Sequence, residues 1–374
     1  MVKNILYVHG LNSSKESYTG NLLKTSFPQY QWTLESFQLM DVYDTIHKLV
    51  KVVREHQIDT IVSSSLGCVY NLYIKRMRDS ETPVVNKILI NPCCFPSRHL
   101  AGFEPLPPRA MEYCDALEDN IYHHNKDNCP EKLFGIFAKN DELFQYHDFF
   151  VDQYGVSDGS NALWIEGKHA EFEPSAIVSA VGQGFAYFES QEDHRPAKLA
   201  PVLPTNLADP TKPYVNPYTD RKPVLYVDMD GVLVDFYSGV QKLDPVLRIR
   251  SNGDRDEVPG IFSLMEPMPG AVEAFHTLAQ HFDVYILTTS PWDNPTACND
   301  KLAWVKRYLG GAKGEPAYKR LIISHHKDMN KGDILIDDRP TKNGADKFEG
   351  LVIPFGSAQF PDWSSVLGYL VPKE

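Results

Sequence analysis

Along this chain, short apolar runs alternate with longer stretches in which apolar residues recur three and four positions apart. Up to residue 189 the runs are NILYVHG, TIVSSS, KILINP, LFGIFAKND and ALWIEG; after residue 223 they are VLYVDMD, DVYILTTS, RLIIS, DILIDD and LVIPFG. The stretch DVYDTIHKLVKVVREH shows the helical spacing between them. Strand alternating with helix predicts the α/β class, a mostly parallel sheet sandwiched by helices. In such sheets ligands bind at the carboxyl ends of the strands. The rhythm occurs twice without shared residues, so it predicts two different domains rather than a repeat.

Between the two series, residues 190–223 read SQEDHRPAKLAPVLPTNLADPTKPYVNPYTDRKP, with recurrent proline and no apolar period. Proline lacks the amide hydrogen that helices and central strands use. The expected organisation is a domain over 1–189, a Pro-rich linker over 190–223 and a domain over 224–374. An insert at about 236–268 is expected to form a small cap on the second domain.

Composition narrows the function classes. The chain has 374 residues, enough for a full core in each half. A net charge of −12 argues against a polymeric nucleic-acid partner but leaves room for a small phosphorylated one. No apolar run reaches the ~20 residues that span a bilayer, and the opening MVKNILYVHG has no secretory pattern. The six cysteines, Cys68, Cys93, Cys94, Cys114, Cys129 and Cys298, form no C-x-x-C pair and read as reduced thiols of a cytoplasmic protein. Oligomeric state is left open, a homo-oligomer included.

In the second half, VLYVDMDGVLVDF brings Asp228 and Asp230 to the end of an apolar strand. Side chains two apart on a strand share one side, where two carboxylates repel unless a cation lies between them. A hard divalent ion, Mg²⁺, suits oxygen ligands. DILIDDRP brings Asp337 and Asp338 to the end of another strand, VYILTTSPW ends in Thr288, Thr289 and Ser290, and ISHHKDMNKGD supplies Lys327. A nucleophilic carboxylate, an acid/base, a metal, a hydroxyl and a lysine are the parts phosphoryl transfer requires. His325 and His326 read as loop residues beside Lys327.

DMDGVLVDF, PMPGAVEAF, ILTTSPW, the lysine of HHKDMNKGD and LIDDRP together resemble the 5′(3′)-deoxyribonucleotidases of the haloacid dehalogenase superfamily and their bacterial relatives. The resemblance covers most of 224–370. It implies Asp228 as nucleophile and metal ligand, and Asp230 as acid/base with its carbonyl also on the metal. It implies Thr289, Ser290 and Lys327 as phosphate holders, Asp338 as a metal ligand and Asp337 in support, directly or through water. Gly231 would permit the tight exit from the strand. In that family cap aromatics stack on the base, and Phe262 is the candidate here.

In the first half, TIVSSSLGCVYNLYI is G-x-S-x-G with Ser63 in the first glycine's place and Ser65 at the nucleophile position. Asp141, with Glu142 as rival, follows the strand in IFAKNDELF, and His169 follows the strand in LWIEGKHAEF. The order Ser, Asp, His suits a triad in which His169 deprotonates Ser65 and Asp141 orients the imidazole. Amides of Leu66 and of Leu11 or Asn12 would form the oxyanion hole, with His9 structural. His123 and His124 read as solvated loop. HGLNSS, SSSLG, ND and KHAEF, in this order, look like the small lid-less bacterial esterases of the α/β-hydrolase type, over residues 4 to about 188.

The expectation is a two-headed hydrolase: a Mg²⁺-dependent phosphomonoesterase acting on a small phosphate such as a nucleotide, and a serine esterase or thioesterase acting on a small ester. The competing expectation is a phosphatase joined to a non-catalytic hydrolase-fold binding or dimerisation module.

Overall fold

A computed structural model describes residues 3–74, 85–100, 106–123, 132–192 and 203–371. Cys129, His124 and residues 193–202 of the expected linker lie outside them. The chain divides into two compact units, residues 1–197 with 244–253, and residues 198–243 with 254–374.

Unit 1 contains strands β1 (Asn4–Val8), β2 (Gln31–Leu34), β3 (Thr60–Ser64), β4 (Asn86–Ile90), β5 (Leu133–Ala138) and β6 (Ala162–Ile165). All pair in parallel in the order β2-β1-β3-β4-β5-β6. Its helices are α1 (Tyr18–Ser26), α2 (Val42–Glu55), α3 (Gly67–Ile74), α4 (Pro96–Leu100), α5 (Ala110–Tyr122), α6 (His147–Tyr154) and α7 (Pro174–Glu192). Alternation along the strands feeds two cores. Leu6, Val8, Ile61 and Leu89 join residues of α2, α3 and α5, while Ile5, Tyr7, Val62 and Ile88 join residues of α7. The apolar pattern missed β2, because QWTL is a partly exposed edge strand without a continuous apolar run.

Unit 1 also claims part of the expected cap. Helix α9 (Pro245–Arg250), which follows α8 (Phe236–Lys242), starts at Asp244, whose side chain accepts from Val246 N. Val246 and Ile249 are buried in the unit 1 core. Asn120 Nδ2 donates to the carbonyls of Arg250 and Asn252 at 2.7 and 2.9 Å. Residues 244–253 therefore do not form the cap that the reading of 236–268 assigned to them: two apolar side chains at helical spacing find their burial in unit 1.

Unit 2 carries a five-stranded parallel sheet, β11 (Leu321–Ile323), β10 (Asp283–Thr288), β7 (Val224–Val227), β12 (Ile334–Asp337) and β13 (Leu351–Pro354), in that order. A two-stranded antiparallel ribbon, β8 (Val234–Asp235) with β9 (Glu266–Pro267), frames the insert. Helices α10 (Ala271–His281), α11 (Ala297–Val305) and α12 (Trp363–Leu370) complete the unit. The later part of the expected linker is not free. Asn206 and Ala208 exchange backbone hydrogen bonds with Val352 on the sheet edge, and Tyr218 Oη donates to Asp333 at 2.6 Å. Extended, proline-rich chain suits an edge that needs few amide donors.

Candidate active sites

In unit 2, Asp228 continues β7, its amide donating to Ile336 O at 2.9 Å. Asp337 closes β12 and Asp338 follows it. Central neighbouring parallel strands thus bring Asp228, Asp337 and Asp338 to one rim. Asp228, Asp337 and Asp338 each offer a carboxylate oxygen within 4.8 Å of the others. Gly231 has φ +78, and a Cβ there would lie 2.5 Å from Asp338 Oδ2. The glycine is required both by the turn and by the approach of that carboxylate.

Lys327 is buried with its Nζ 3.0 Å from Asp228 Oδ1 and 2.6 Å from Asp337 Oδ2. Burial alone would lower the lysine, but the carboxylates of Asp228 and Asp337 more than offset it and hold it above its ordinary range. Burial pushes Asp228 up to about 7 against the lowering effect of Lys327. Burial likewise pushes Asp338 up to about 6. Asp337 also accepts from Arg339 N at 2.8 Å, so both its oxygens are engaged. Its place is that of a support for Lys327.

Asp230 lies apart from the three-carboxylate set. Its Oδ2 accepts from Lys301 Nζ at 2.5 Å, and the same nitrogen donates to Thr288 Oγ1 at 2.9 Å. Thr289 is partly exposed on the loop after β10, and Ser290 is buried beside it. His325 Nε2 bonds Ser290 O at 2.6 Å, so this histidine braces the loop.

Two corrections follow. Phe262 is buried, and Lys301 Nζ lies 4.5 Å from its ring centroid. The ring supports the lysine and cannot stack on a base, contrary to the expectation. Lys301 itself was missed. Its signal is a charge on the buried face of α11: Ala297, Lys301, Trp304 and Val305 form that face at helical spacing. A lysine there must have a partner, because an unpaired buried charge costs several kcal/mol.

The acidic site fits a divalent cation. Among the described residues, Asp338 Oδ1, in the three-carboxylate set, is a buried side-chain oxygen without a hydrogen-bond partner. Buried polar atoms normally find one, and an oxygen-seeking ion supplies it.

In unit 1, Ser65 follows β3 with φ +53. Its amide donates to Ile90 O, and its carbonyl accepts from Cys68 and Cys93. This is the sharp strand-to-helix turn that projects a nucleophile. The neighbours must be small: a Cβ on Gly10 would lie 3.0 Å from Ser65 Cβ, and one on Gly67 2.5 Å from His9 O. Ser63 needs no glycine. It lies within β3, where its Oγ donates to Ile88 O and accepts from Asn71 Nδ2 at 2.9 Å.

Ser65 Oγ is 2.9 Å from His169 Nε2, and His169 Nδ1 is 3.0 Å from Asp141 Oδ2. Asp141 is buried and also accepts from the amides of Leu143 and Phe144. Glu142 Oε2 instead accepts from His169 N, so the rival carboxylate holds the loop and not the imidazole. Leu66 immediately precedes α3, and Leu11 and Asn12 follow Gly10, which packs on Ser65. Buried His9 bonds Gly10 O through Nδ1 and accepts from Phe37 N through Nε2. Burial lowers its pKa, which suits a neutral structural histidine. His123 is exposed at the end of α5.

A family profile described as 5′ nucleotidase, deoxy (Pyrimidine), cytosolic type C protein matches residues 256–361. A second, described as Uncharacterised protein family (UPF0227), matches residues 4–170. A putative 5′(3′)-deoxyribonucleotidase of Vibrio phage KVP40 is 58% identical over 152 residues, 41% of this chain and 86% of the phage protein. A putative 5′(3′)-deoxyribonucleotidase of Bordetella bronchiseptica is 40% identical over 147 residues, 33% of this chain and 77% of its own length. The human mitochondrial 5′(3′)-deoxyribonucleotidase is 32% identical over 151 residues, 32% of this chain and 64% of its own length. Among solved structures, Est1E from Butyrivibrio proteoclasticus covers 50% of this chain and 89% of its own at 13% identity and a TM-score of 0.39.

Proposed function

Because this chain belongs to the 5′(3′)-deoxyribonucleotidase family, we propose that unit 2 hydrolyses the phosphate monoester of a small molecule, a (deoxy)nucleotide, through a covalent aspartyl-phosphate. The observation that carries the reading is the convergence of Asp228, Asp337 and Asp338 with Lys327 at one sheet rim.

Asp228 attacks phosphorus through a carboxylate oxygen as the bond to the leaving alcohol breaks. Asp230 gives that oxygen its proton. Asp230, now a carboxylate, takes a proton from water as the water attacks phosphorus. Cleavage of the phosphorus–Asp228 bond then releases inorganic phosphate and restores both carboxyls. Lys327, Thr289 and Ser290 hold the equatorial oxygens, where charge collects. Asp228, Asp338 and the Asp230 carbonyl would hold Mg²⁺, which when bound neutralises the repulsion between carboxylate and phosphate. Asp228→Asn is expected to abolish release of phosphate from a panel of deoxyribo- and ribonucleoside monophosphates; turnover that survives the substitution defeats the mechanism.

The second reading rests on a separate observation, the unbroken chain from Ser65 through His169 to Asp141. It supports an acyl-Ser65 esterase or thioesterase in unit 1. A fluorophosphonate probe should label the wild type and not Ser65→Ala. A folded protein that takes no label is instead a binding or dimerisation module on the same scaffold. A cytoplasmic setting suits the buried free thiols of Cys68, Cys93, Cys94 and Cys114. No helix among the described residues is long and apolar enough to cross a membrane.

A further inference from the structure

Phe262 is buried under Lys301, and residues 244–253 of the insert belong to unit 1. What unit 2 retains of its insert therefore lacks the aromatic platform assigned to Phe262. We propose that Trp292, on the loop after β10, is the surface on which the planar base of a nucleoside monophosphate stacks. This rests on the phosphatase reading of unit 2.

Trp292 is 86% exposed, the highest value among the exposed large apolar side chains described. An indole left in water forgoes a large hydrophobic gain, and a residue so placed at a site's rim serves a ligand better than it serves the fold. Its backbone, by contrast, is firmly held. Pro291 fixes the chain between Ser290 and Trp292. Buried Asn294 donates through Nδ2 to the carbonyls of Asp256 and Val258 at 2.8 and 3.0 Å.

The ring is tied to both phosphate loops. It sits two residues beyond Ser290, and its centroid is 6.0 Å from that of His325 in an edge-on arrangement. His325 in turn bonds Ser290 O, and it stands two residues before Lys327, whose Nζ contacts Asp228. Trp292 is thus joined, through Ser290 and His325, to both loops that the phosphatase reading places on the phosphate. A rigid backbone carrying an exposed aromatic face is pre-organised for stacking. Stacking reads the face of a base and not its edges, so the substrate class is nucleoside monophosphates with tolerance for purine and pyrimidine.

The test compares Trp292→Ala, Trp292→Phe and Tyr237→Ala in the full chain, Tyr237 being an exposed aromatic of the insert. Substrates are deoxyribonucleoside 5′-monophosphates and 2-deoxyribose 5-phosphate, which has no base. Trp292→Ala should raise KM for the nucleotides about tenfold, with kcat changed far less and Trp292→Phe restoring most of the loss. KM for the base-free sugar phosphate should move little. In the Asp228→Asn background, nucleotide binding should quench indole fluorescence, and Trp292→Phe should remove the quench. An equal KM change for the base-free substrate, no change for nucleotides, or a change produced by Tyr237→Ala instead overturns the proposal. Turnover surviving Asp228→Asn would sink the phosphatase reading itself, a distinct outcome.

Discussion

Lys301 Nζ lies 2.5 Å from Asp230 Oδ2, with the lysine side chain wholly buried. The pair fixes the carboxyl that the proposed mechanism uses as acid and base. Its second donor bond, to Thr288 Oγ1, anchors the ammonium to the end of β10. Removing one partner of such a pair leaves a charge without compensation, at about 3–5 kcal/mol. Lys301→Met should therefore lower the thermal stability of unit 2. It should also reduce kcat by about a hundredfold or more, the ordinary worth of a positioned acid. The double variant Lys301→Met with Asp230→Asn should regain stability and stay inactive. If the double variant is no more stable than the single one, the coupling is absent.

The serine turn makes opposite demands on its two flanks. A Cβ on Gly67 meets backbone oxygens of His9 and Val8 at 2.5 and 2.8 Å, and backbone cannot step aside cheaply. Gly67→Ala should abolish fluorophosphonate labelling and cost about 1–3 kcal/mol as an overpacked site. Ser63→Gly restores the usual glycine of the motif. It should nonetheless destabilise by about 1 kcal/mol, because Asn71 Nδ2 loses an acceptor. Labelling should persist. Loss of labelling in Ser63→Gly with the fold intact would contradict this account.

Sequence pattern exposed the strands that carry chemistry because they read as apolar runs: β3, β5, β7 and β12 are buried along most of their length, and edge strand β6, though partly covered, keeps an unbroken ALWI. Asp228, Asp337, Ser65, Asp141 and His169 were legible because each follows such a run or ends it. Edge strand β2 was not, since its QWTL lacks a continuous apolar run. Phe262 was misread and Lys301 missed for one shared reason. Each owes its place to a contact between residues 39 positions apart, Lys301 Nζ over the Phe262 ring, and periodicity reports only which face of an element is buried. The assignment of 244–253 to unit 1 is likewise a tertiary choice that no local propensity encodes.

Proton and metal compete for the acidic rim. In the metal-free protein, Asp228 is pushed up to about 7 and Asp338 to about 6, both by burial. A carboxyl whose folded value lies above its unfolded one stabilises fully below the unfolded value, near ~3.9, and that contribution is lost as pH rises through the folded value. Unit 2 stripped with a chelator should therefore lose stability between about pH 4 and pH 7. Mg²⁺ offsets this by binding the ionised carboxylates, so its stabilising effect should be larger at pH 8 than at pH 5.5. Calorimetry with and without the ion, on wild type and Asp228→Asn, measures the difference. An ion effect independent of pH, or one undiminished in Asp228→Asn, would refute the argument.

Helix α9 carries the last prediction. Ile249 is 3% exposed in the unit 1 core, and Tyr73 Oη donates to its carbonyl at 3.3 Å. Asn120, fully buried on α5, spends its amide on the carbonyls of Arg250 and Asn252. A core isoleucine truncated to alanine costs about 2–5 kcal/mol. Ile249→Ala should thus destabilise unit 1, although residue 249 lies far beyond the sequence boundary expected for that domain. Hydrogen exchange locates the effect: amides of α5 should exchange faster in Ile249→Ala, whereas those of β7 and β12 in unit 2 should not. Faster exchange confined to unit 2 would mean that α9 is a cap helix after all.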